Sequence, residues 1–408
     1  MSSKPISVPT WIFSQVARVR LLPATFIEVP LKEMLMNSSI RILALALCCW
    51  AVAQVPTIAY SQPKPVPPPQ VELPGSQLLT ISSSIVGREY SVQVQLPRGY
   101  GDTTRSFPVV YVLDAQWDFP LVGAIYGSQY YDGFLPALII VGITWGGAHP
   151  NHDSLRAADL TPTHVNQVPQ SGNAPQFLGF LKNELIPFVE SKFRTRRDDR
   201  TLMGSSYGGL FTLYTLFQET GLFQRYVVTS PAIGFDNGIL YSYEKSYAER
   251  ESTLPVRLFM AQGGLEGGVE AFEKLAAHLM SRAYEGLQLQ TRILENIGHS
   301  GSKAEGYARG LQWAFERPSL SLDPTVLKEY EGQYEIRPGV VARVSTEGGR
   351  LAVHAPGISP VILHAEGEER FYAKGFYLKV QVMKDAAGKV TGVVVEQYSG
   401  SVFMKKVG

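Results

Sequence analysis

Cysteine is nearly absent: two occur in 408 residues, adjacent at Cys48 and Cys49. The 359 residues that follow contain none, which excludes disulfides, thiol catalysis and cysteine-ligated metal from that part of the chain. Charge is also sparse, 18% of residues, with 37 basic side chains against 36 acidic ones and no long block of either sign. That leaves no electrostatic footprint for a nucleic acid partner. Histidine is limited to seven residues, no two at the spacing of a helical zinc pair, so neither a metal site nor a cofactor is read from the sequence. The apolar core from Ile42 to Ala53 falls short of the roughly 20 residues that span a bilayer.

That short core has a different use. "MNSSIRILALALCCWAVAQVPTIAYSQ" opens with a short polar start carrying Arg41 and ends in small residues, the pattern of a secretory signal. Cleavage is expected at Ala51-Val52-Ala53 or at Ala59-Tyr60-Ser61, with a retained anchor as the alternative, and translation can begin at Met34 or Met36. Residues 1–61 are therefore read as extension and signal, which implies a secreted or periplasmic protein without stable membrane insertion after cleavage. Residues 62–75, "QPKPVPPPQVELPG", form a proline-rich, extended linker.

From Ser76 the chain alternates strand-like and helix-like runs. "EYSVQVQLP" has period-2 alternation, while "FPVVYVLD" and "PALIIVGI" are continuous apolar runs of the kind buried on both faces of a parallel sheet. "RTLMGS", "QRYVVTS", "VRLFMAQ" and "LQTRILEN" follow, with helical stretches between them. The helical run from Asn173 to Phe193 contains Pro187, a candidate kink. The pattern predicts an α/β domain over 76–319, a mostly parallel sheet with helices on both faces. From 322 to 408 the runs become short and alternating, separated by turns such as Gly348-Gly349, which predicts a small all-β meander or barrel.

Within the first domain, Gly204-Ser205-Ser206-Tyr207-Gly208 fits G-x-S-x-G between a strand and a helix, the tight turn that holds a serine hydroxyl out for attack. Such a serine needs a base and a group to orient that base. His299, in the loop "NIGHSGS" after the last strand of the sheet, is the candidate base. Glu266, in the loop after "VRLFMAQ", is the candidate acid, giving the order nucleophile, acid, base. Asp236, in "SPAIGFDNG", competes for that role. The motif places oxyanion donors on the backbone N–H of Tyr207 and on that of Ala115 or Gln116 after "VVYVLD". Trp117, Asp118 and Phe119 continue that loop, and with Tyr126, Tyr130, Tyr131 and Trp145 they suggest an aromatic-lined pocket.

Residues Ser82 to Phe315 resemble the esterase family of α/β-hydrolases that includes the enterochelin esterases and their periplasmic trilactone-cleaving relatives. The resemblance rests on "GREYSVQVQLPRGY", "YVLDAQWDF", "IIVGITW" followed by "RAADLTPT", "GSSYGGLFTLY", "TSPAIG", "GGLE" and "GHSGS" in that order. It implies carboxylic-ester hydrolysis through an acyl-enzyme, with Ser206 as nucleophile, His299 as base and Glu266 as acid, and it sets Arg156 and Asp159 in a loop beside the site. The family often has glycine where this chain has Ala115. The C-terminal region is similar to the lipocalin-like β domains appended to some secreted serine hydrolases, where it could narrow the active-site mouth, aid assembly or bind substrate.

The resulting expectation is a secreted serine esterase acting on a small-molecule ester, siderophore-type, feruloyl or acetyl, with Trp117 and Arg156 as substrate contacts. Two alternatives remain: a serine peptidase of the same architecture, and a catalytically inert ligand-binding homologue.

Overall fold

The computed structural model describes residues 73–408. The signal segment, both cysteines and residues 62–72 of the linker lie outside the described residues.

Alternation in the first strands has the consequence expected of it. β1 (Ser76–Ser83) and β2 (Arg88–Gln95) pair antiparallel, and Tyr90, Val92 and Val94 of β2 turn inward to full burial. The apolar runs then form β3 (Phe107–Val112) and β4 (Ile139–Trp145), every residue of which is buried. β5 (Thr195–Ser205), β6 (Arg225–Thr229), β7 (Arg257–Gly263) and β8 (Gln288–Leu294) complete an eight-stranded sheet of order β1-β2-β4-β3-β5-β6-β7-β8. From β4 to β8 all neighbours are parallel, so one rim of the sheet collects their carboxyl ends.

Helices cover both faces, as an α/β-hydrolase requires. In chain order they are α1 (Ala115–Tyr131), α2 (His152–Asp159), α3 (Ala174–Phe180), α4 (Ile186–Lys192), α5 (Tyr207–Gln218), α6 (Leu240–Ala248), α7 (Val269–Ser281) and α8 (Ser302–Ala314). Two separate apolar clusters lie beneath them, one around Tyr111, Phe177 and Phe211, the other around Val112, Phe119 and Tyr307. α3 and α4 are joined by a single wide π-type turn, Leu181–Leu185. Pro187 follows at once; lacking an N–H, it cannot donate one turn back, and the wide turn absorbs the mismatch that the sequence suggested as a kink.

The C-terminal region closes into a barrel. After α9 (Pro324–Tyr330), capped by the Asp323 carboxylate on the Thr325 N–H, come β9 (Gly332–Arg337), β10 (Val340–Glu347), β11 (Arg350–His354), β12 (Val361–Ala365), β13 (Arg370–Ala373), β14 (Leu378–Lys384), β15 (Val390–Gln397) and β16 (Gly400–Lys406). Each pairs antiparallel with the next, and β16 returns to β9. No edge is left unpaired, which removes the hazard an open β sheet carries.

The barrel sits far from the rim where strands end. The Tyr377 N–H donates to the Tyr131 carbonyl at the last residue of α1, Tyr398 packs on Tyr130 and Tyr131, and the Arg98 guanidinium lies 4.2 Å from the Tyr398 ring. α1 starts at the carboxyl end of β3 and runs back over the sheet, about 25 Å for its 17 residues. The barrel therefore packs at the amino-terminal ends of the strands, and the expectation that it could narrow the active-site mouth does not hold.

Candidate active site

Two helices start at the rim from residues with positive φ. Ser206, which follows β5, has φ 59° and ψ −117°, and Asp114, which follows β3, has φ 52° and ψ 39°. Positive φ in a residue with a side chain costs on the order of 1–3 kcal/mol and persists only where the surroundings enforce it. At Ser206 three backbone hydrogen bonds do so: its N–H donates to the Thr229 carbonyl at 3.1 Å, and its carbonyl accepts from Leu210 at 2.9 Å and Ala232 at 3.1 Å. The turn also needs the flanking glycines, since a Cβ at Gly204 would lie 2.6 Å from the Gly208 carbonyl.

The helix starts leave N–H groups without a carbonyl one turn back, at Ala115 and Gln116 in α1 and at Tyr207 in α5. These are the three backbone donors the sequence nominated, and both sets lie at the same rim. Ala115 is wholly buried, and the family's usual glycine is replaced here without a clash because its neighbour on β4 is Gly142. A Cβ at Gly142 would come within 2.7 Å of the Ala115 methyl.

Glu266 and His299 come from the loops after β7 and β8, which backbone hydrogen bonds tie together: Gly264 N–H to Leu294 and Leu265 N–H to Ile297, 2.8 and 3.0 Å. The Glu266 carboxylate lies 2.6 Å from His299 Nδ1 through Oε2, while Oε1 accepts from the Ser230 hydroxyl at 2.5 Å and from the Gly263 N–H at 2.9 Å. Ser302 Oγ sits 2.7 Å from the His299 carbonyl and 2.7 Å from Ser230 Oγ, fixing the histidine loop to the end of β6. The carboxylate is held at both oxygens, whereas the imidazole it orients is 51% exposed. Among the described residues no hydrogen bond joins His299 to Ser206; Glu266 and His299 are paired, and the serine stands separately on its turn.

Asp236 is placed elsewhere. It accepts from the Thr163 hydroxyl at 2.6 Å, in a short helical turn at Phe235–Asn237. Its carboxylate makes no hydrogen bond to His299 among the described residues.

The aromatic pocket contracts on inspection. Trp117, Asp118 and Phe119 are not loop residues but the first turns of α1, because the Trp117 and Asp118 N–H groups both donate to Asp114 and start the helix. Tyr126 is buried in the core, Tyr130 and Tyr131 meet the barrel at the far end of the helix, and Trp145 is buried with its indole N–H on Asp159. Trp117 alone of this set combines exposure, 48%, with a place at the rim where the sheet strands end. Arg156 and Asp159 likewise belong to α2, not to a loop. Asp159 is an internal anchor, accepting from Tyr90, Trp145 and Asn173.

Arg156 holds the Asp114 carboxylate through two hydrogen bonds, 2.9 and 2.8 Å, and its guanidinium lies 5.2 Å from the Tyr207 ring and 5.8 Å from Trp117. Sequence reasoning missed the second cation on that indole. Lys303 Nζ is 5.8 Å from the Trp117 ring and 2.7 Å from Asp118, whose other oxygen accepts from Tyr307. Burial pushes the Asp118 carboxyl above the usual range, and the Lys303 charge opposes that. Its spacing from His299 in sequence carried no signal, since the contact arises only when α8 folds back over α1.

Residues 82–258 match the family described as "Putative esterase". The ferri-bacillibactin esterase BesA of Bacillus subtilis is 26% identical over 277 residues, 61% of this chain and 93% of that protein. These matches support an enterochelin esterase-like family of α/β-hydrolases for the sheet domain. The siderophore triacetylfusarinine C esterase of Aspergillus fumigatus is 29% identical to this enterochelin esterase-like chain over 194 residues, 46% of it and 64% of the fungal protein. Among solved structures, an IroE-like serine hydrolase from Shewanella oneidensis superposes with a TM-score of 0.53 at 25% identity, covering 59% of this chain and 80% of that one. This enterochelin esterase-like domain is accordingly a hydrolase acting on esters.

Proposed function

We propose that Ser206, His299 and Glu266 form the catalytic triad of a secreted esterase that cleaves aromatic acyl esters of the siderophore type. The observation that carries the triad is the Glu266–His299 hydrogen bond, held by Ser230 and Gly263, at the rim where Ser206 is strained outward. In the reaction, the Ser206 hydroxyl attacks the ester carbonyl as His299 takes its proton through Nε2. The N–H groups of Tyr207 and of Ala115 or Gln116 receive the charge that develops on the carbonyl oxygen. His299 returns the proton to the departing alcohol, and water, activated by the same imidazole, releases the acid. Catalytic hydrogen bonds are commonly long before substrate binds, and the half-exposed imidazole has room to turn toward the serine.

The acyl side is read from Trp117. Its exposed indole stands between Arg156 and Lys303, with His152 edge-on at 6.2 Å. Each cation is already matched by a carboxylate, so the face offers a π surface with polarised edges and little net charge, suited to stacking an aromatic acid. The named activities of the bacterial and fungal relatives on siderophores favour the same class.

A panel of p-nitrophenyl esters and peptides tests this. Aromatic acyl esters are expected to exceed acetyl esters in kcat/KM, with peptides uncleaved, and Trp117→Ala is expected to remove most of that preference while sparing acetyl ester turnover. Peptide cleavage at comparable rates would support the peptidase alternative instead. Export through residues 36–61 belongs to the same proposal, and the mature protein is expected to begin at Gln54 or Gln62 when its N-terminus is sequenced.

A further inference from the structure

The barrel encloses space that its own side chains do not fill. An eight-stranded barrel is just wide enough either to pack its interior or to hold one small ligand. Here valine is the commonest inward residue, and register aligns valines in layers, Val344 opposite Val353 and Val380 opposite Val395. The result is a cavity of about 560 Å³, within the roughly 300–1,000 Å³ typical of small-molecule sites. No residue lining it carries a charge.

Its two ends differ. One end is closed by α9, where Leu327 and Tyr330 are buried and the Tyr330 ring meets Phe371 edge-on at 5.8 Å. The other end is rimmed by Ile358 and Phe376, both exposed, and carries the polar side chains Ser359 and Gln397. On the Phe376 side the rim abuts the hydrolase domain, where a Cβ at Gly133 would touch the Phe376 carbonyl; Ile358, 60% exposed, leaves its own side open.

We propose that the barrel is a binding site for one acyl-chain amphiphile, its hydrocarbon in the lumen and its polar head at the mouth beside Ser359 and Gln397. A charge-free apolar cavity stays dry and favours hydrocarbon. An ionised head drawn inside would meet no partner, so it is held at the mouth. The site is separate from the ester-cleaving rim, because the barrel joins the opposite ends of the sheet strands and α1 lies between them. It therefore stands whether or not the serine chemistry is as proposed.

The test is fluorescence titration of the full chain with N-phenyl-1-naphthylamine, followed by displacement with dodecanoate. The expected result is saturable one-to-one binding that dodecanoate reverses. Val353→Trp, which sets an indole into the lumen, should weaken both ligands at least tenfold. Ile358→Asp, at an exposed position that the fold does not depend on, should weaken dodecanoate severalfold, so the result does not hang on the lumen variant folding. Trp117→Ala should change neither affinity. Absence of saturable binding, failure of dodecanoate to displace the probe, unaltered affinity in Ile358→Asp, or loss of binding in Trp117→Ala would overturn the assignment.

Discussion

Asp114 and Arg156 are joined by two hydrogen bonds across the base of the site, with the aspartate almost wholly buried and the arginine partly buried. Asp114 is also the residue whose left-handed backbone starts α1 and aims its first N–H groups at the rim. The ion pair thus links the backbone geometry at the start of α1 to the stability of the domain.

Removing one partner of such a pair strands the other charge. Arg156→Ala is expected to destabilise the protein by about 3–5 kcal/mol, and Arg156→Lys to recover only part of that because an ammonium cannot make the planar two-point contact. Urea denaturation of the two variants beside the parent checks this, and equal stability of all three would show the pair to be dispensable.

Glu266→Gln keeps the size of the side chain but removes the charge that steadies an imidazolium and can favour the wrong tautomer of His299. Turnover is expected to fall by about a thousandfold or more. Asp236→Asn, which disturbs only the contact with Thr163, should stay within a few fold of the parent. Steady-state kcat on one p-nitrophenyl ester separates the two, and the reverse order of effects would move the acid to Asp236.

Gly142→Ala places a methyl 2.7 Å from that of Ala115 and against Phe119. Overpacking of this kind costs about 1–3 kcal/mol, and here the strain falls on the first turn of α1, so kcat should drop along with stability. The double variant Ala115→Gly, Gly142→Ala is expected to regain part of both, the contact with Phe119 remaining, as measured by thermal unfolding and ester turnover. No recovery would mean that the two positions do not compensate each other.

Much of the architecture was legible because burial imposes period. The wholly buried β3 and β4 and the alternating β2 announced themselves. β5 did not: only its Arg200–Ser205 half was readable, because Thr195–Asp199 is a polar extension of the strand that pairs with β3 at Phe107. The barrel's strands were visible as alternation that fitted a meander or a barrel, and the pairing of β16 with β9 closes the barrel; the intervening helix α9 was not legible.

At the site, the serine turn, the carboxylate and the histidine were readable because motif order reflects strand order. What surrounds them was not. Ser230, Asp114, Asp118 and Lys303 come from four different elements, and their contacts exist only after the sheet has assembled. The aromatic residues misled for a related reason. Composition reveals that α1 is rich in rings, but only the helix itself shows that Trp117 faces the rim while Tyr130 and Tyr131, four turns on, face the barrel.

The central claim is that Ser206 is the activated nucleophile. It is tested most directly by intact-mass spectrometry and peptide mapping after incubation with a fluorophosphonate. The account predicts a single adduct, located on the peptide containing Ser206, absent from Ser206→Ala and formed far more slowly in His299→Ala. A protein that takes up no label, or takes it up at another residue, would contradict it.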